Sequence, residues 1–136
     1  MTEQWVKWEP IKGLAPKYYI NSVSDSIKGF EIILSESKNE KKGLRIFWQY
    51  SPDAYRSTNE SYTNEIIVDL YNRYGRDFYG QWTFFKVENS EYLQWLSQKS
   101  SGISDYNKFT HYSILSSEYI MDIIDNSDPV VELIDL

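Results

Sequence analysis

The sequence predicts an α+β fold, a mostly antiparallel sheet carrying about three helices, on three grounds. The first fifty residues hold three strand-like runs separated by short turns, the pattern of an N-terminal three-stranded meander. Beyond residue 60, helical and strand-like spacings alternate. The chain has 136 residues and no repeat of fixed period, a length that suits one core, so a single domain over 1–136 is expected.

Residues 1–17 carry Trp5, Trp8, Pro10 and Pro16, which suits an irregular N-terminal arm pinned by its indoles. Tyr18 to Ser24 is a strand, Ser26 to Gly29 a turn, and Phe30 to Ser35 a second strand with Phe30, Ile32 and Leu34 on one face. The polar run Asn39 to Gly43 is a turn, and Leu44 to Tyr50 alternates as the third strand. Ser57 and Glu60 have the spacing of a capping box, so a helix is expected to follow. In it Ile66, Ile67, Leu70, Tyr71 and Tyr74 fall at helical spacing, Asp69 lies one turn from Arg73, and Gly75 is the stop. Gln81 to Val87 is apolar on both faces and is the expected central strand. Asn89 or Ser90 caps a short helix, Glu91 to Ser97, with Tyr92, Trp95 and Leu96 inward. Residues 100–107 are a loop and 109–115 a strand. Ser116 then caps a helix from Glu118 to Asp125 that buries Ile120, Ile123 and Ile124, and Val130 to Leu133 is an edge strand.

Aromatic residues make up 17% of the chain, and its 12 tyrosines exceed what a core of this size can partner, so several are expected at the surface. No apolar run is long enough to span a membrane and no signal-peptide pattern opens the chain. With no cysteine there is no disulfide framework, and a cytoplasmic protein without membrane contact is expected. The net charge is −6, and six of the 20 acidic residues fall in 117–136, which holds no Lys or Arg. The remaining 14 acids balance the 14 bases, so the surplus is local. An acidic end repels nucleic acid and attracts a basic partner. Lys38, Lys41 and Lys42 are the one basic cluster, and Glu36 and Glu40 interrupt it, so no nucleic-acid binding is expected.

No catalytic residue, metal site or cofactor is expected. His111 is the only histidine, which excludes mechanisms that need two and most zinc sites. Phe109, His111 and Ser113 share one face of their strand, so any triad has to be built around His111; its plainer reading is structural. The sequence has no G-x-S-x-G elbow, P-loop or dinucleotide fingerprint. Two groups of residues are candidates for binding. On the expected C-terminal helix Glu118, Asp122 and Asp125 form a ridge of like charge with Tyr119 beside it, a docking surface for a basic protein. Within 53–60, Tyr55, Arg56 and Asn59 gather a phenol, a guanidinium and an amide beside an expected helix start, which suits a small anion or other small ligand.

The stretch from Trp82 to Leu96 (WTFFKVENSEYLQWL), followed by His111-Tyr112-Ser113-Ile114, resembles small uncharacterised bacterial proteins of the polymorphic-toxin immunity type. That resemblance implies a stoichiometric inhibitor that occludes a basic toxin domain through an acidic and aromatic surface. The expected function is therefore a small protein-binding domain of immunity or antitoxin type, with a small-molecule or anion-binding module as the alternative.

Overall fold

A computed structural model of the chain describes residues 2–100 and 109–136. The strands in order are β1 (Gln4–Lys7), β2 (Tyr18–Ser26), β3 (Gly29–Glu36), β4 (Asn39–Trp48), β5 (Ala54–Asn59), β6 (Phe84–Glu88), β7 (Thr110–Leu115), β8 (Tyr119–Asp125) and β9 (Val130–Asp135). The helices are α1 (Asn64–Tyr74), α2 (Phe78–Gln81) and α3 (Glu91–Lys99). The fold is α+β, as the sequence predicts. Two sheets are formed, β1-β6-β7-β8-β5 and β2-β3-β4-β9, with every pairing antiparallel.

Register fixes the layering. Phe84 lies opposite Ile114, Ile114 opposite Met121, and Tyr112 opposite Ile123, so these side chains share one face of the five-stranded sheet. That face packs on the four-stranded sheet: Tyr18 meets Phe84, Trp48 meets Tyr112 and Phe30 meets Tyr55, with ring centroids 5.5, 5.6 and 4.7 Å apart. The opposite face carries Phe85, Val87, His111, Ser113, Asp122 and Ile124 and is covered by the helices, through Phe78 on Phe85 and Tyr92 on His111. The five-stranded sheet is therefore the middle of three layers, and its inner strands are buried on both faces.

The meander is present as β2, β3 and β4, and β3 buries Phe30, Ile32 and Leu34 as expected. Its second turn is only Ser37–Lys38, and the polar run Asn39–Gly43 belongs to β4. The arm is not wholly irregular: Gln4–Lys7 forms β1, which pairs with β6 through Trp5 and Val87. β6 begins at Phe84 and lies second in its sheet; the central strand is β7. α1 stops at Gly75, whose φ of 101° only glycine adopts readily and whose N–H donates to the Tyr71 carbonyl. Ile66 lies on its exposed side, and Leu70 is its buried anchor. In α3, Ser90 is the N-cap, Tyr92 and Leu93 face inward, and Trp95 is half exposed. The loop expected at 100–107 lies outside the described residues except for Ser100.

Two corrections change the reading of the site. Ser57–Glu60 is not a capping box; residues 54–59 form β5, paired with β8, and α1 starts only at Asn64 after a 3-10 turn. Residues 119–125 are not a helix but strand β8, between β7 and β5. Ile120, Ile123 and Ile124 are buried as expected, yet on opposite faces of a strand, because one face meets the helices and the other meets the second sheet. Both arrangements bury those three isoleucines, and their branched side chains favour the strand.

Candidate functional site

The strand geometry of β8 dissolves the expected acidic ridge. Asp122 and Asp125 are buried on opposite faces, while Glu118 and Tyr119 stay exposed at the β7–β8 turn. There Ser116 Oγ donates to the Tyr119 carbonyl and accepts from its N–H, so Ser116 holds a turn and caps no helix.

Asp122 is the centre of a buried polar network. Its Oδ1 accepts from His111 Nε2 at 2.7 Å and from Ser113 Oγ at 3.0 Å, and its Oδ2 accepts from Arg56 Nε at 3.0 Å. Burial alone raises the Asp122 pKa, but the donors of His111 and Arg56 outweigh it and hold the group below the ordinary carboxylate range. An ionised Asp122 holds a proton of His111 on Nε2; in the neutral imidazole Nδ1 then carries the lone pair and accepts from Ser90 Oγ, 2.7 Å away. Ser90 Oγ also accepts from the Leu93 N–H as the cap of α3. Arg56 closes the network on the outside, its guanidinium 4.0 Å over the Tyr92 ring. The chain Ser90–His111–Asp122–Arg56 thus joins β6–α3, β7, β8 and β5. Ser90 and His111 also line a cavity of about 500 Å³ with Lys86, Asn89, Gln94 and Phe109.

The candidate ligand residues of β5 do not converge. Strand alternation sends Tyr55 towards the second sheet, where its ring packs tilted against Phe30 and its hydroxyl donates to Asp25 Oδ2 at 2.9 Å. Arg56 points to the helical side and is committed to Asp122. Asn59 accepts from the Ser61 N–H and caps the 3-10 turn.

A different acidic group appears at one end of the molecule, where the β2–β3 turn, the β4–β5 loop and the β8–β9 loop meet. Asp53 and Asp125 share a hydrogen bond across the β5–β8 pair; burial first, and this contact second, raise the pKa of Asp53. Asp128 accepts from the Tyr112 hydroxyl at 2.7 Å, and Asp25 accepts from Tyr55 and from Ser51 Oγ. Ser127 ties this end to the core: its carbonyl accepts from Trp48 Nε1 and its hydroxyl donates to Asp125. Tyr50 and Ile27 stand out from the same loops, 76% and 102% exposed. The one basic residue of these three loops is Lys28. Sequence reading missed this group because its acids come from three separate stretches; the signal available was an acid beside each turn, Asp25, Asp53 and Asp128.

No protein-family model matches the chain, and no curated protein or solved structure matches it. Among the described residues, no group of His, Cys, Asp or Glu is arranged to hold a metal ion, and no helix is long and apolar enough to cross a membrane.

Proposed function

We propose that the chain is a protein-binding domain of immunity or antitoxin type that docks a basic protein surface on its acidic loop end. The observation that supports this most is the placement of exposed Asp25, Asp53 and Asp128 at three neighbouring turns that also carry exposed Tyr50 and Ile27. Clustered carboxylates repel one another; the pKa of Asp53 is raised by burial first and by the neighbouring Asp125 carboxylate second. A lysine- or arginine-bearing surface relieves the repulsion and is steered to it over distance. Tyrosine supplies a large, rigid contact at low entropic cost, the usual anchor of such interfaces. The site is thus displaced from the helix expected at 118–125 to the three loops, while the chemistry of the partner is unchanged. The test is photo-crosslinking from a benzophenone amino acid placed at Tyr50 in the cells that make the protein. A single captured protein, identified by mass spectrometry and basic in charge, is expected; capture of an acidic protein, or none, counts against the reading.

A further inference from the structure

We propose that Ser90 is a nucleophile activated by His111, and that the cavity beside it takes a small carboxylic ester. This stands apart from the docking reading and uses different atoms. Three observations carry it. First, the hydroxyl, imidazole and carboxylate are linked at 2.7 Å and 2.7 Å, with the proton positions fixed by ionised Asp122. Second, Ser90 sits in a sharp strand-to-helix turn: β6 ends at Glu88, Asn89 takes a left-handed φ of 55°, and α3 starts at Glu91. Asparagine is among the residues that adopt that region most readily, so the turn is tight without other distortion. The turn places Oγ at the amino end of α3, whose N–H groups favour negative charge on it. Third, both Ser90 and His111 line the cavity of about 500 Å³, with polar Lys86 and Gln94 and apolar Leu93 and Phe109 around them. Both residues are otherwise buried, Ser90 4% and His111 3% exposed.

In the reaction Ser90 Oγ bonds to the ester carbonyl carbon as its proton passes to His111 Nδ1, and Asp122 stabilises the imidazolium. The ester C–O bond then breaks, and the leaving alkoxide takes the proton from Nδ1 and departs as the alcohol. Water adds to the acyl-serine, giving one proton to Nδ1, and release of the carboxylic acid returns that proton to Ser90 Oγ. Ester and water become acid and alcohol. Asp122 is a positioning residue, with Arg56 and Ser113 holding it in turn.

The test treats the purified, folded full chain with a fluorophosphonate probe and maps the modified peptide by mass spectrometry. One label per chain on Ser90 is expected, abolished when the protein is unfolded in urea. His111→Asn should slow labelling by about 100-fold or more. Asp122→Asn should lower the rate of bond formation while leaving the probe concentration for half-saturation unchanged, which a merely structural role does not produce. Folded wild-type protein that stays unlabelled at Ser90 at millimolar probe, or that is labelled only on scattered tyrosines, overturns the proposal without bearing on the loop end.

Discussion

Replacing Asp122 by Asn separates the buried strand position from an exposed helical one by sign as well as size. In the structure the carboxylate takes three donors on two oxygens. An amide keeps one oxygen for His111 and Ser113, and these bonds lose their ionic acceptor, which makes them roughly half as strong, a loss of about 1 kcal/mol each. The amide nitrogen then faces the Arg56 N–H, donor against donor. Arg56 is half exposed, so water repairs much of that bond and its loss counts for little. Relief from burying a charge offsets part of the total, since burial is the largest influence on this group. The net expectation is a loss of about 1.5 kcal/mol, or roughly 5 °C in Tm for a chain of this length. Urea unfolding followed by tryptophan fluorescence should show a lower midpoint at unchanged slope. Were 118–125 an exposed helix, the same change would relieve repulsion from Glu118 and Asp125 and stabilise by a few tenths of a kcal/mol. A variant within about 0.5 kcal/mol of the parent, or more stable than it, refutes the network.

Lys17 gives a pH signature. Its Nζ donates to the carbonyls of Tyr79 at 2.6 Å and Leu115 at 2.5 Å, and burial lowers its pKa to about 8. The unfolded chain therefore binds the extra proton between that value and the ordinary 10.5, so stability should rise with pH from about 8, by up to about 1.4 kcal/mol per unit. Above pH 10 the gain reverses, because burial raises the pKa of Tyr79 and Tyr112 and the unfolded chain loses those phenolic protons first. Lys17→Met should remove the rise in urea midpoints measured at pH 7.5 and 9.5; an equal rise in the variant contradicts the assignment. Gly29→Ala should cost about 2 kcal/mol or more, since φ is +127° and a Cβ would lie 2.6 Å from the Phe47 ring and 2.7 Å from the Trp48 carbonyl. Gly80→Ala on α2, where a Cβ meets nothing within 4 Å, should be neutral or stabilising, and thermal melts of the pair check the contrast.

Elements whose pattern admits one period were legible in the sequence. β3 alternates cleanly, α1 has its Asp69–Arg73 pair at 3.3 Å and its terminal Gly75, and α3 has Ser90 as cap. β8 was not legible, because Ile120, Ile123 and Ile124 satisfy a helical spacing as well as a strand buried on both faces, and only its neighbours decide. β5 was hidden by polarity: as an edge strand it needs little apolar surface, and the Ser57–Glu60 spacing imitated a cap. The site followed these errors. His111 and Ser113 were rightly set on one face, but their partner Asp122 faces them only if β8 is a strand, and Arg56 reaches it only if β5 pairs beside it.

The central claim is that the acidic loop end receives a basic protein, and association kinetics with the captured partner test it most directly. Asp25, Asp53 and Asp128 are exposed and can be changed together to Asn, which keeps an acceptor for Tyr55 and Tyr112. The triple variant is predicted to associate about 10-fold more slowly at low salt and to show a much flatter dependence on ionic strength. Association rates and salt dependence equal to those of the parent would contradict it.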